Sequence, residues 1–175
     1  FASLREMKAL IEREVRRKGI QSDVKLGPGG IREVEFIVQA FQLIRGGQLP
    51  GLRQSNLLKV LPQLVEEGLI PDEVANELSE AYVFLRNVEH RLQAVADRQT
   101  QRLPENDDGW VRLARSLGFR DRRSCERALA RYREQVRYHF SQVIADPESE
   151  QGMKRLNLVK GRPPEKPYTL HIHSI

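Results

Sequence analysis

The sequence predicts a mainly all-α fold: an antiparallel helical bundle with one short strand and a glycine-rich turn near the amino terminus. Three observations predict it. Apolar residues recur at three- and four-residue spacing along most of the 175 residues. Glycines and most prolines fall between those periodic stretches and punctuate them. Strict alternation of apolar and charged residues stands out at Asp23 to Leu26, and it runs directly into Gly27-Pro28-Gly29-Gly30.

Taken in order, Ala2 to Lys18 reads as a helix, because Leu4, Met7, Leu10, Ile11 and Val15 share one face; Gly19 ends it. Val24 and Leu26 then form the apolar side of a short strand, with Asp23 and Lys25 on the other side. The next helix begins after the glycine turn with no Ser, Thr, Asp or Asn to cap it, which makes Gly30 the N-cap and leaves the first N–H groups without a side-chain partner. Free N–H groups at a helix start attract anions, and Lys25 and Arg32 flank this one. The turn matches neither of the glycine-rich phosphate patterns G-x-x-x-x-G-K-[ST] and G-x-G-x-x-G, so a plain connecting turn is the competing reading.

The helix from Ile31 to about Arg45 carries Ile31, Val34, Phe36, Ile37, Val38, Phe41, Leu43 and Ile44, an apolar set wide enough to be buried on most sides. Its polar residues Arg32, Glu35, Gln39 and Gln42 form one narrow stripe. Glu35 in that setting needs a cationic partner such as Arg32, either as a structural ion pair or at the wall of an active site. Ser55 is placed to cap a helix to Glu67 that Pro62 bends or divides, and Gly68 ends it. Pro71, Asp72 and Glu73 open the longest helix, which reaches about Thr100. Its seam is Leu78, Ala81, Leu85, Val88, Leu92 and Val95, and its opposite side bears Arg86, Glu89, His90, Gln93 and Asp97. The two polar stripes are expected to face each other across a cleft or across the core. His90 receives no role.

Asn106 to Gly109 reads as a turn and Trp110 to Leu117 as a short helix closed by Gly118. Asp121 to Ala145 is a long helix with Cys125, Leu129, Tyr132, Val136, Phe140, Val143 and Ile144 inward. Its outer face carries Arg122, Arg123, Arg127, Arg131, Arg133 and Arg137, a solvated surface or a docking surface for an acidic partner, with Arg123, Arg127 and Arg131 as the candidates. From Pro147 the helical period is lost, and His171-Ile172-His173 alone is weak grounds for a metal site. The division expected is residues 1–30 as the end of a preceding domain, 31–146 as the helical bundle, and 147–175 as a disordered or foreign tail.

Composition narrows the function. Charged residues make up 30% and the net charge is +5, but basic and acidic residues alternate along the helices and only 6% are aromatic. That fits solvated faces and argues against a nucleic-acid groove. No apolar run approaches the length of a membrane span, so no membrane partner and a cytoplasmic location are expected. Cys125 stands alone and reads as a plain thiol.

The run Asp23-Val-Lys-Leu-Gly-Pro-Gly-Gly-Ile-Arg-Glu-Val-Glu-Phe-Ile-Val-Gln, together with Phe41-Gln-Leu-Ile-Arg-Gly-Gly, resembles the junction segment of the bifunctional glutamine synthetase adenylyltransferase/adenylyl-removing enzymes. Phe84-Leu-Arg-Asn-Val-Glu-His-Arg-Leu-Gln and Asp97-Arg-Gln-Thr-Gln-Arg-Leu-Pro match the same family, and the resemblance spans roughly Glu6 to Glu150. It implies two nucleotidyltransferase halves, each followed by a helical bundle, in an enzyme that controls nitrogen assimilation. The wording here is similar to the amino-terminal, adenylyl-removing half, which works by phosphorolysis. Magnesium and ATP or ADP are the cofactors implied for the full-length enzyme, held by a Gly-Ser and Asp-x-Asp motif that does not occur here and is expected upstream of Phe1. A fragment without that motif is expected to be inactive alone, with no catalytic residue, metal ligand or bound cofactor of its own. Lys25, Gly29, Gly30, Arg32 and Glu35 are then expected to border the nucleotide or phosphate pocket. Glutamine synthetase and the nitrogen-regulatory PII protein are the implied partners. The alternative is a non-catalytic helical module that binds one of those proteins. The uridylyltransferase that modifies PII has a comparable helical segment, and the motif fits it less well.

Overall fold

The computed structural model describes residues 20–96 and 101–145. The helix expected over Ala2 to Lys18, the tail from Pro147 with its two histidines, Asp97, and the side chains of Val95 and Ile144 lie outside the described residues. Among the described residues there is no sheet and there are five helices: α1 (Ile31–Arg45), α2 (Leu57–Glu66), α3 (Asp72–Ala96), α4 (Asp107–Ser116) and α5 (Arg122–Ala145). Short 3-10 turns occupy Ile20–Ser22 and Pro50–Leu52.

The expected strand is a single antiparallel bridge between Asp23 and Arg102. The Val24 N–H donates to the Gln101 carbonyl at 2.9 Å, and the Leu103 N–H donates to the Ser22 carbonyl at 2.9 Å. Four alternating residues are enough for one bridge; the chain then turns before a ladder can extend. Asp23, expected on the charged outer side, is buried. Its Oδ1 accepts from the Lys25 and Leu26 N–H groups, both at 2.8 Å, and closes the turn.

Helix boundaries follow their caps. Asn56, not Ser55, caps α2, its side chain accepting from the Leu58 N–H at 3.1 Å. Pro62 sits inside a continuous α2; the helical donor it lacks would have served the Leu58 carbonyl, and both residues are exposed to water. Asn106 caps α4 through the Gly109 N–H at 2.8 Å, which starts that helix at Asp107 and makes a helical turn of residues expected as a loop. Helices α2 and α4 both end in Schellman pairs, in which Leu69 N–H donates to the Leu64 carbonyl and Phe119 N–H to the Ala114 carbonyl, each at 2.8 Å.

The core is one cluster that all five helices enter. Val24, Ile31, Val34, Ile37 and Phe41 are fully buried in it, as are Leu61, Leu64, Leu78, Leu85 and Val136. The predicted seam of α3 is buried from Leu78 to Leu92. Phe36 meets Phe140 edge-on at 5.3 Å, and Phe84 stacks on Tyr132 at 4.6 Å. Leu43, expected to be buried, is 63% exposed, because it lies on the same side of α1 as the exposed Arg32 and Gln39. Cys125 is buried and its thiol is pushed up to about 11 by burial, so it stays protonated, as a plain packing thiol should.

Candidate functional site

The glycine-rich turn is held by a dense set of hydrogen bonds. Gly30 N–H donates to the Gly27 carbonyl, Ile31 N–H to the Val24 carbonyl, and Arg32 N–H to the Lys25 carbonyl, at 2.9 to 3.2 Å. The Gly29 N–H donates to Glu33 Oε2 at 3.0 Å. Gly30 is the N-cap with no side-chain cap, as expected. The expectation of free N–H groups for an anion is corrected: a third-position glutamate and the preceding loop have already taken them. Gly29 and Gly30 therefore cannot offer these amides to a phosphate.

Opposite the turn stands Arg133 of α5. Its Nε donates to the Pro28 carbonyl at 2.8 Å and its Nη2 to the Asp23 carbonyl at 3.2 Å. Gly29 has φ +69°, and a Cβ there would collide with the backbone carbonyl of Arg133. Arg133 was expected on the solvated arginine face; it is half-buried and faces the turn instead. Burial lowers the pKa of its guanidinium, and the charges of Glu33 and Asp23 oppose that shift. Glu33, to which the sequence reading gave no role, is buried, and desolvation pushes its carboxyl up to about 7 against the pull of the Gly29 N–H, Arg137 and Arg133.

Beside this clamp lies a second charged group. Glu89 of α3 is buried, and its two oxygens take different cations: Oε2 meets Arg86 Nη1 at 2.6 Å and Oε1 meets Lys25 Nζ at 3.5 Å. Burial works against the charge on Arg86, but the Glu89 hydrogen bond and the neighbouring Tyr82 outweigh it and raise the pKa. Lys25 is half-buried here. Arg32 is exposed and reaches Glu35 only at 3.9 Å, the loose ion pair the sequence allowed. Gln42 turns away to the Leu52 and Gln54 carbonyls, both at 2.7 Å, and His90 is exposed. Among the described residues, no hydrogen bond or ion pair joins the two polar stripes. What the fold brings together is Lys25 with Glu89 and Arg86; Arg32 and Glu35 stand apart on α1.

On α5, Arg123 and Arg127 are exposed as expected. Arg131 is not part of that open face. Its guanidinium lies over the Tyr132 ring at 4.6 Å, and its Nε is buried. Also missed was His139, buried between α5 and α3 with its Nε2 2.6 Å from Glu77 Oε2.

Comparison with known proteins fixes the family. The sequence model described as GlnD PII-uridylyltransferase matches residues 5–144, most of the chain. The chain belongs to the GlnD PII-uridylyltransferase family. Within it, the similar curated proteins bear the other name that the sequence motifs pointed to. A Pseudomonas putida protein named bifunctional glutamine synthetase adenylyltransferase/adenylyl-removing enzyme is 55% identical over 150 residues, 86% of this chain and 15% of the relative. Relatives of the same name from Nitrosococcus oceani and Pseudomonas aeruginosa are 52% and 50% identical, each over 85% of this chain and 15% of the relative. The resemblance drawn from the glycine-turn motif is thus borne out. The chain spans about 15% of the length of these relatives. The glycine turn, Arg133 and the Lys25, Glu89 and Arg86 group all lie inside the matched family region.

Proposed function

We propose that the chain is a helical segment of a cytoplasmic enzyme that adenylylates and deadenylylates glutamine synthetase, and that it belongs to the adenylyl-removing half. The observation carrying this reading is the 50–55% identity to relatives of that name over most of the chain. Among the described residues no helix is long and apolar enough to cross a membrane, which is compatible with it.

In this reading the segment supports an active site that is completed by other parts of the enzyme. The turn is locked by Arg133 and Glu33, so the residues leaving it hold fixed positions: Lys25 before it, Arg32 and Glu35 after it. These three side chains border the nucleotide or phosphate pocket, while Gly29 and Gly30 contribute shape and not donors. ATP or ADP would present its phosphates to that border. Among the described residues no three His, Cys, Asp or Glu side chains converge, and in this reading the magnesium that accompanies the nucleotide is held by other parts of the enzyme. The test changes Arg32 and Glu35 separately in the full-length enzyme and follows deadenylylation of glutamine synthetase. Reduced turnover with an intact fold is expected; normal turnover in both variants refutes the pocket border.

A second reading is favoured by Arg123 and Arg127, which are exposed on α5 and lack an acidic partner among the described residues. They form a docking face for glutamine synthetase or for PII. Mixing the chain with each protein separates the readings, since complex formation without nucleotide affinity favours the docking module.

A further inference from the structure

We propose that Lys25 and Arg86, held over the buried carboxylate of Glu89, form a binding site for a phosphate or diphosphate group. The proposal rests on the pocket reading above and names the ligand chemistry of its inner edge.

A carboxylate carries one charge, and Glu89 is surrounded by two cations, so the group as a whole is positive. One cation would have sufficed to neutralise a buried acid. The side chains of Lys25 and Arg86 keep 31% and 35% of their surface exposed, whereas that of Glu89 keeps 3%. The acid therefore lies beneath and the cations lie at the surface. Each retains unused donors: the ammonium has three N–H groups and the guanidinium five, while Glu89 takes one short hydrogen bond from Arg86 and an ion pair with Lys25 at 3.5 Å, and Tyr82 engages Arg86 besides. Because both heads are anchored to one carboxylate, a single oxyanion can touch both.

The framework that carries the two cations is also held in place. The backbone of Lys25 is fixed on both sides, its N–H by Asp23 Oδ1 at 2.8 Å and its carbonyl by the Arg32 N–H at 3.0 Å. Arg86 leans on the Tyr82 ring at 5.6 Å. Preorganised cations lose little freedom when an anion arrives, and guanidinium and ammonium together match the oxygens of a phosphate.

The experiment titrates the 175-residue chain at low ionic strength with inorganic phosphate and, separately, with ADP. The Lys25 ammonium and Arg86 Nε–H signals are followed by NMR. Saturable shifts of both signals are expected, and added salt should weaken them. Saturation by phosphate alone identifies the free anion as ligand, and saturation by ADP at equal or lower concentration identifies the nucleotide's diphosphate; either supports the site. Lys25→Met and Arg86→Met should each weaken binding about tenfold. The charge-preserving Lys25→Arg and Arg86→Lys should retain it within a few-fold, and Arg112→Ala, on the exposed side of α4, should leave it unchanged. Shifts that grow without saturation, or an equal loss in Arg112→Ala, overturn the proposal. The pocket reading fails separately. If phosphate binds but Lys25→Met leaves deadenylylation by the full-length enzyme untouched, the site stands and the pocket reading falls. If nothing saturates yet Lys25→Met abolishes that activity, the pocket reading stands and the two-cation site falls.

Discussion

Arg133 donates through Nε to the carbonyl of Pro28 at 2.8 Å, across 105 residues of sequence. This bond ties α5 to the glycine turn. It makes the turn's shape a property of the folded bundle and not of the turn alone. Arg133→Ala removes the donors of two carbonyls and an attraction that favours ionised Glu33, and is expected to cost about 2–4 kcal/mol. Chemical denaturation of the wild type and the variant checks it. A cost below about 1 kcal/mol would show that water replaces the guanidinium without loss.

Gly29→Ala acts on the same contact from the other side. Alanine at φ +69° is strained, and its Cβ meets the Arg133 backbone carbonyl, which cannot swing away as a side-chain end could. A loss of about 2–3 kcal/mol is expected, with α5 shifted away from the turn. Amide exchange at Gly30 to Glu33 reports the shift. Protection there as strong as in the wild type would mean that the turn holds its shape unaided.

Glu33 gives the fold a pH dependence of unusual sign for a carboxylate. Its folded value is raised to about 7 from the ordinary 4.5, by burial first of all. A raised acid favours the protonated folded state, so the contribution of Glu33 to stability is greatest below pH 4.5, declines as pH rises towards 7, and is flat beyond. The span corresponds to about 3 kcal/mol. Glu33→Gln keeps an acceptor for the Gly29 N–H without a charge. It is expected to match the wild type near pH 4.5 and to exceed it at pH 8. Parallel stability profiles for the two proteins from pH 4 to pH 8 would contradict this.

The helices were legible from periodicity because apolar side chains must share a face wherever a helix meets a core. The partners across that core were not. Arg133 sits in a run of arginines that looks solvated, and only a turn arriving from more than 100 residues earlier makes it an inward residue. Glu33 was passed over because an acid in a first helical turn is usually water-exposed. Its spacing from Gly29 was the one local signal, since a third-position glutamate can reach back to an N–H before the helix. The start of α4 was misplaced for a simpler reason. Asn106 followed by Asp107 and Asp108 has both a cap and an acidic first turn, the two cues that place a helix start there. Of the charged residues that meet at Glu89, Lys25 stands out in the sequence because it borders the glycine turn. Its partner Glu89 was visible only as one member of a polar stripe, because a stripe does not reveal which of its members is buried.

The arginine face separates docking from stability. Arg123 and Arg127 are exposed and make no ion pair among the described residues, so Arg123→Glu with Arg127→Glu should change stability by no more than about 0.5 kcal/mol. In the full-length enzyme the same pair of changes is expected to weaken association with glutamine synthetase, with a smaller salt dependence than the wild type. Association measured at two ionic strengths decides it; unchanged affinity at both would remove this face from the docking reading.

His139 and Glu77 offer a sharper test of a buried polar link. Their bond of 2.6 Å joins α5 to α3, and the histidine is 2% exposed while the glutamate side chain keeps 36% of its surface. Glu77→Ala leaves a buried ring nitrogen without its partner, which costs about 1–3 kcal/mol. His139→Leu has a different balance: it removes the buried polar ring, whose Nδ1 has no hydrogen-bond partner among the described residues, and leaves Glu77 able to turn to water. Adding His139→Leu to Glu77→Ala should therefore recover stability, by about 1 kcal/mol, because both partners of the bond are gone and no buried donor or acceptor is orphaned. A double-mutant cycle by chemical denaturation reads this directly. Costs that simply add would show that the histidine acts through its packing against the core and that the hydrogen bond to Glu77 contributes nothing to holding α3 and α5 together.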